Sequence, residues 1–71
     1  MKIIPRIKEL RKEKNITQLK MALDLNTTQN TISRYETGER EPGLSELVEI
    51  ADYLGVSIDY LLRQTDNPDR N

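Results

Sequence analysis

Apolar residues recur at intervals of three and four positions along most of the chain, which is the spacing of helices that bury one face. No stretch alternates apolar and polar residues as a half-buried strand does. The spacing predicts five helices, at about 5–14, 17–24, 28–37, 44–54 and 57–62. Short helices with local connections predict an all-α bundle.

Residues suited to start or stop a helix stand at these bounds. Pro5 fits the first turn of the first helix. Asn15 can take a left-handed conformation after that helix, and Gly38 and Gly55 can do the same after the third and fourth. Three helices follow a hydroxyl residue that can act as an N-cap, namely Thr17, Thr28 and Ser57. The polar segment from Arg63 onward is expected to be frayed.

The fourth helix carries an aliphatic stripe that we expect to face the core. Its members are Leu44, Leu47, Val48, Ala51 and Leu54. The fifth helix and its end contain Ile58, Tyr60, Leu61 and Leu62. Part of this second set must close the core, and the rest could form a two-fold dimer contact.

Leu19 and Leu23 lie four residues apart and make the second helix apolar nearly all round. We expect both side chains to pack beneath the N-terminal segment that contains Ile3 and Ile4. The alternative is a surface for a partner, either a second protomer or a regulatory protein.

The second and third helices are separated by about three residues, which predicts a helix-turn-helix motif at about 18–37. Ala22 is small where the two helices must approach closely, and Ile32 supplies an apolar contact from the third helix. Asn26 occupies the turn, where a positive φ is needed and asparagine is the best choice after glycine.

The third helix carries amides and hydroxyls that are poor helix formers. At 100° per residue, Thr28, Ile32 and Tyr35 fall on one inward arc. The opposite side carries Asn30, Ser33, Arg34 and Thr37, with Gln29 on the flank. Glutamine and asparagine can pair with the adenine edge, arginine with guanine, and a threonine methyl group with that of thymine. The helix is therefore predicted to read bases in the major groove.

The 71 residues suffice for one domain, and their net charge of −1 conceals an uneven distribution. Residues 1–40 contain nine basic and five acidic side chains, a balance of +4, whereas residues 41–71 contain two basic and seven acidic ones, a balance of −5. Such a division favours one face that tolerates a polyanion.

The chain contains neither cysteine nor histidine, so no disulfide, metal site or cofactor is expected. No apolar run approaches the roughly 18 residues of a membrane span. A reducing, cytoplasmic location without membrane association is expected. The remaining carboxylates, lysines and hydroxyls are scattered on short helices, so no enzymatic activity is expected.

The motifs "ITQ", "TTQN", "TISRYETGEREP", "LVEIADYLGVS" and "IDYLL" together resemble the DNA-binding domain of the Cro/C1 phage-repressor family, the XRE-type helix-turn-helix proteins. The similarity runs over residues 6–62. It implies a five-helix, lambda-repressor-like domain at 1–62, followed by a polar tail or the start of a linker at 63–71. It also implies a transcriptional regulator, with repression as the expected mode, that binds a near-palindromic double-stranded DNA operator as a homodimer.

The resemblance also assigns roles to individual residues. The base-reading positions are Thr28, Gln29, Asn30 and Arg34. The positions that contact phosphate are Gln18, Thr27, Ser33 and Arg40. Arg11 and Glu36 match an ion pair that joins the first helix to the third.

The sequence departs from the family pattern at several positions. Asn26 replaces the common turn glycine, and Leu19 and Leu23 replace residues that are usually charged. Glu39 and Glu41 flank Arg40 and should weaken its attraction to phosphate. These departures motivate an alternative in which the same fold serves mainly as a protein-interaction module, such as an antitoxin or a regulator-binding protein.

Overall fold

The computed structural model describes residues 3–69 of the chain. This part contains five helices and no strand. They are α1 (Ile7–Glu13), α2 (Gln18–Asp24), α3 (Gln29–Thr37), α4 (Leu44–Leu54) and α5 (Ile58–Leu61). The predicted all-α, five-helix fold is confirmed. None of these helices has the length and apolar character that crossing a membrane requires.

Hydroxyl side chains cap three of the helices. Thr17 Oγ1 accepts from the backbone N–H of Lys20 at 3.0 Å, and Ser57 Oγ accepts from that of Tyr60 at 3.1 Å. Thr28 Oγ1 likewise caps α3. Each bond satisfies one of the backbone donors that a helix start leaves without an intrahelical acceptor.

Left-handed residues turn the chain between helices. Asn15 has a φ of 57°, Asn26 a φ of 58°, Gly38 a φ of 82° and Gly55 a φ of 71°. Asn26 therefore has the predicted positive φ in the turn between α2 and α3. The next residue, Thr27, donates its backbone N–H to the Ala22 carbonyl at 2.9 Å, which fixes the direction in which α3 departs.

The core lies where the five helices meet. Its buried apolar members are Ile7, Leu10, Met21, Ala22, Ile32, Tyr35, Leu47, Ile50, Ala51, Leu54, Val56 and Leu61. Fully burying an aliphatic side chain stabilises the fold by about 1.5–3 kcal/mol. This core anchors α2 and α3 through Met21, Ala22 and Ile32.

The expectation that Leu44 and Val48 belong to the core is wrong. Leu44 is 84% exposed and Val48 is 47% exposed. The buried side of α4 instead consists of Leu47, Ile50, Ala51 and Leu54. Aliphatic residues occupy two adjacent sides of this helix, and only one of the two is buried.

The expected packing of Leu19 and Leu23 beneath the N-terminal segment is also wrong. Their side chains are 53% and 68% exposed. The N-terminal segment is held elsewhere, because Arg63 Nε donates to the Ile4 carbonyl at 2.7 Å.

The two ends of the described chain are joined by a terminal clasp made of Ile4, Arg6, Tyr60, Arg63 and Thr65. The backbone N–H of Arg6 donates to the Leu61 carbonyl at 2.8 Å, and its Nε donates to the Tyr60 carbonyl at 2.8 Å. Its guanidinium also lies 4.4 Å from the centre of the Tyr60 ring and reaches the Thr65 carbonyl. With a further bond from the Ser57 backbone N–H to the Pro68 carbonyl, residues 63–68 are tied to the domain, and the expectation that they are frayed is wrong. The same expectation for residues 70 and 71 lies outside the described residues.

Candidate nucleic-acid interface

The exposed side of α3 carries the predicted base-reading residues. Gln29 and Asn30 are the first two residues of the helix, and both are exposed. Ile32 and Tyr35 are buried on the opposite side and pack into the core. Packing through these two residues stabilises a helix whose exposed positions contribute little helix propensity.

Thr28 does not lie on the inward arc that a helical wheel assigns to it. It precedes the helix as an extended N-cap residue and is exposed. Its hydroxyl accepts from the Thr31 backbone N–H at 3.1 Å and lies 2.9 Å from the Thr31 hydroxyl. These bonds leave the methyl group of Thr28 uncommitted, and its hydroxyl keeps one further hydrogen-bonding site.

Arg11 on α1 and Glu36 on α3 form a bidentate ion pair. Arg11 Nε lies 2.6 Å from Glu36 Oε2, and Nη2 lies 3.3 Å from Oε1. Arg11 Nη1 also donates to the Ile16 carbonyl at 2.8 Å. The Glu36 side chain is only 3% exposed, so this charge depends on its partners for stabilisation.

A chain of side-chain hydrogen bonds leads from Glu36 to the start of α3. Gln18 Nε2 donates to Glu36 Oε1 at 2.9 Å, and Gln29 Nε2 donates to Gln18 Oε1 at 3.4 Å. A carboxylate can only accept, so Gln18 must turn its nitrogen towards Glu36 and its oxygen towards Gln29. Gln29 must then present its nitrogen to Gln18, which leaves one N–H and the carbonyl oxygen of Gln29 available.

The basic residues of the site are held by their backbone while their charged groups remain available. The Arg34 carbonyl accepts from the Arg40 backbone N–H at 3.3 Å, which ties the loop after α3 to the helix. Neither guanidinium makes a hydrogen bond or ion pair within residues 3–69, and both side chains are exposed. Thr27, which lies before α3, and Ser33, which lies within it, are half-buried.

The C-terminal end of α2 is held by a hydrogen bond to α4, as its N-terminal end is held by the bond from Gln18 to Glu36. The hydroxyl of Tyr53 on α4 donates to Asp24 Oδ2 at 2.6 Å, and Lys20 Nζ donates to Asp24 Oδ1 at 3.0 Å. The Tyr53 hydrogen bond, followed by that of Lys20, lowers the pKa of Asp24. Burial, followed by the same hydrogen bond to Asp24, raises the pKa of Tyr53 to about 12.

The structure brings together several residues that the sequence assigned to separate roles. Gln18 was expected to contact phosphate and Gln29 to read a base, yet their amides bond to each other. The sequence feature that could have indicated this contact is that each glutamine is the first residue of a helix in the same helix-turn-helix motif. The Tyr53–Asp24 tether was missed because its two residues lie 29 positions apart and carry no local pattern.

A family model described as helix-turn-helix matches residues 7–61. The chain belongs to the XRE-type helix-turn-helix family. The family resemblance inferred from the sequence is thus confirmed. Within residues 3–69, no group of acidic, histidine or cysteine side chains is arranged to hold a metal ion.

Relatives of this family are named as transcriptional regulators. The chain is 43% identical over 61 residues, 86% of its length, to the HTH-type transcriptional regulator YqaE of Bacillus subtilis, of which it spans 53%. It is also 43% identical over 61 residues to the cryptic phage CTXphi transcriptional repressor RstR of Vibrio cholerae, of which it spans 54%. The HTH-type transcriptional activator BcrR of Enterococcus faecalis is 34% identical over 62 residues, 87% of this chain and 30% of that protein.

The chain spans about half the length of the first two of these relatives. The names of these relatives agree with the expectation of a transcriptional regulator rather than an enzyme. They include both a repressor and an activator.

Proposed function

We propose that the protein is a sequence-specific, double-stranded DNA-binding transcriptional regulator that inserts α3 into the major groove. The proposal rests on the side-chain amide of Gln29 at the exposed start of α3, part of which makes no hydrogen bond within residues 3–69. That part offers one N–H donor and one carbonyl acceptor. Adenine presents the complementary pair in the major groove, with N7 as acceptor and the N6 amino group as donor.

The neighbouring side chains extend this reading surface. Asn30 offers a second amide, and its side chain makes no hydrogen bond within residues 3–69. Arg34, one turn later, offers a fork of donors that suits guanine or a phosphate. The methyl group of Thr28 completes the surface with a contact of the kind that thymine attracts.

Phosphate contacts would flank these base contacts. Gln18 keeps one amide N–H besides the one it gives to Glu36, and Arg40 offers an unpaired guanidinium on the adjoining loop. Thr27 and Ser33 would add hydroxyl groups that can also donate to phosphate. Contacts to phosphate set the position of the helix in the groove but do not select a base sequence.

We further propose that two copies bind a near-palindromic operator and repress transcription. A two-fold pair would place its α3 helices in successive major grooves, roughly 34 Å apart. Repression is supported by the similarity to RstR, which is named a transcriptional repressor.

Selection of duplexes from a random pool tests this function directly. The wild-type chain is expected to enrich a motif with two inverted half-sites. Gln29→Ala should lose discrimination at one base of each half-site by about 1–3 kcal/mol. Gln64→Ala removes an exposed glutamine outside the helix-turn-helix and should leave the motif unchanged. Wild-type discrimination by Gln29→Ala would contradict the proposed reading surface.

A second candidate function is that of a protein-interaction module, and the exposed pair Leu19 and Leu23 favours it. The two leucines form an aliphatic stripe on α2 that packing within the chain does not explain. Selection that enriches no motif, together with a stable protein complex that Leu19→Ser and Leu23→Ser abolish, would support this candidate over the first.

A further inference from the structure

The charged residues of α1 are segregated by sign. Lys8 and Lys12 lie four residues apart and share one side of the helix. Glu9 and Glu13 have the same spacing and share another side. Like charges at this spacing repel each other, whereas a glutamate four residues before a lysine attracts it. The first helix therefore carries a repulsive pair on each side, and its own stability does not explain that arrangement.

The acidic side meets a counter-charge in the protein, and the basic side does not. Arg63 Nη2 lies 2.7 Å from Glu9 Oε2, so the acidic side of α1 faces the terminal clasp. Lys8 and Lys12 are exposed, and neither ammonium group makes an ion pair or a hydrogen bond within residues 3–69. Two adjacent positive charges are thus left without a counter-charge in the described part of the chain.

The basic side of α1 adjoins the candidate nucleic-acid interface. Arg11 follows Lys8 by three residues and continues the basic side of the helix towards α3. Its guanidinium donates to Glu36 on α3 at 2.6 Å. Glu36 follows Ser33 by three residues, so both belong to the side of α3 that α1 approaches. Ser33 is itself a proposed phosphate contact, which places the lysines beside one edge of the proposed reading helix.

We propose that Lys8 and Lys12 bind phosphate groups of the DNA strand that passes α1 when α3 enters the major groove. The contact rests on the proposed DNA-binding function and extends it from the helix-turn-helix to the first helix. Four residues of an α-helix rise about 6 Å, a length over which one DNA strand presents about two phosphates. Lysine carries its charge on a long, flexible side chain, so each ammonium group can meet one phosphate.

The position of the lysines favours phosphate over an acidic segment of another protein. A duplex that occupies the reading surface of α3 carries a row of phosphates along each edge of its groove, and one of these rows runs past α1. Arg11 neutralises Glu36 on the adjoining side of α3, so the field that this row meets is positive. An acidic protein would have to displace the duplex from the same side of the domain.

The salt dependence of binding tests the contact. Fluorescence anisotropy with the full 71-residue chain measures affinity for the selected operator and for an unrelated duplex. Between about 50 and about 200 mM salt, Lys8→Gln and Lys12→Gln should each lose about threefold less affinity than the wild type, because each releases one counterion fewer. Each variant should weaken both duplexes by the same factor, since phosphate contacts do not select a base sequence.

Lys20→Gln is the matched control. It removes the same charge from α2, where the Lys20 ammonium group lies 3.0 Å from Asp24, and it should leave the salt dependence as in the wild type. Lys8→Arg and Lys12→Arg keep the charge and should also keep the wild-type salt dependence. All variants should unfold near the wild-type temperature, because none of the substituted side chains is buried.

Wild-type salt dependence in a double variant, Lys8→Gln with Lys12→Gln, would overturn the proposal and favour an acidic protein as the partner. An equal change in Lys20→Gln would also overturn it, since net charge alone would then explain the effect. A changed base preference in the double variant would do the same. These outcomes leave the motif selected through Gln29 intact. A wild-type chain that enriches no motif and binds no duplex would remove the proposed function, and this contact with it.

Discussion

The side-chain amide of Gln18 on α2 bonds to two residues of α3. Its nitrogen donates to Glu36 at 2.9 Å, and its oxygen accepts from Gln29 at 3.4 Å. One amide therefore connects Gln29, the proposed base-reading glutamine, to a buried carboxylate, which is itself held by Arg11. The hydrogen bond to Gln18 favours one orientation of the Gln29 amide. Pre-orientation of this kind reduces the conformational entropy that a side chain loses on binding.

The first prediction is that Gln18 contributes to sequence discrimination as well as to overall affinity. If Gln18 contacted only phosphate, Gln18→Ala would weaken binding to all duplexes similarly. Because Gln18 also orients Gln29, we expect Gln18→Ala to lose part of the discrimination at the base that Gln29 reads. A double-mutant cycle between Gln18→Ala and Gln29→Ala should give a coupling free energy of about 0.5–1.5 kcal/mol on the selected operator.

A cycle between Gln18→Ala and Arg40→Ala provides the comparison. The two side chains share no hydrogen bond, so their effects on the binding free energy should add within about 0.5 kcal/mol. Additive effects of Gln18→Ala and Gln29→Ala would show that the amide bond does not act in recognition.

The second prediction concerns the Arg11–Glu36 pair. Glu36→Ala leaves the nearly buried Arg11 guanidinium without its carboxylate and should lower the free energy of unfolding by about 3–5 kcal/mol. Urea denaturation followed by circular dichroism measures this loss. Replacing both residues, as Arg11→Met with Glu36→Leu, should cost less because no buried charge remains unpaired.

Glu13→Ala is the matched control for this experiment. Glu13 is exposed at the end of α1, and its side chain makes no ion pair in the described part of the chain. Its removal should change the free energy of unfolding by less than about 0.5 kcal/mol. A loss of that small size for Glu36→Ala would mean that the pair is not needed for stability.

The third prediction concerns stability at high pH. The pKa of Tyr53 is raised to about 12 in the folded chain, whereas an unfolded tyrosine ionises near about 10. Between these two values the folded state binds more protons than the unfolded state, so stability should fall as pH rises from about 10 to about 12. Below that window the contribution of Tyr53 is fully present.

Urea midpoints of the wild type and of Tyr53→Phe across this window measure the effect. The variant lacks the ionisable group and should show a smaller alkaline decline. It should also raise the pKa of Asp24 towards its ordinary value, because the hydrogen bond from Tyr53 is the largest cause of the lowered pKa. An NMR titration of the Asp24 carboxyl group would detect that change, and an unmoved pKa would contradict the tether.

The fourth prediction tests the turn between α2 and α3. Asn26 has a φ of 58°, a conformation that costs most residues with a Cβ about 1–2 kcal/mol. Asn26→Ala should therefore lower the free energy of unfolding by about 1 kcal/mol, because asparagine tolerates this conformation better than alanine does. Asn26→Gly should be neutral or slightly stabilising, and thermal unfolding distinguishes the two variants. Equal midpoints for both would indicate that the positive φ is not limiting.

Helix ends and the turn were predictable from sequence because their signals are local. Thr17, Thr28 and Ser57 accept the capping bonds expected of them, and Asn26 takes the expected positive φ. A cap depends on one side chain and a backbone N–H three residues later. Neither the neighbouring helices nor the rest of the fold need be known.

The faces of α2 and α4 were not predictable in the same way. Leu19, Leu23, Leu44 and Val48 have the spacing of buried residues, yet they remain largely exposed because no element within residues 3–69 buries them. The ordered segment after α5 was missed for a different reason. Arg6 and Arg63 bind backbone carbonyls there and at Ile4, and a carbonyl has no signature in the sequence.

The terminal clasp gives the fold an order of assembly. Its bonds join residues 54 and 59 positions apart, whereas the contacts between α2 and α3 connect close neighbours in the chain. Long-range contacts must overcome the larger loss of loop entropy, so the helix-turn-helix can form before the clasp closes. We expect partial unfolding to open the clasp first, so that the two ends of the described chain separate while Gln18 and Gln29 keep their positions.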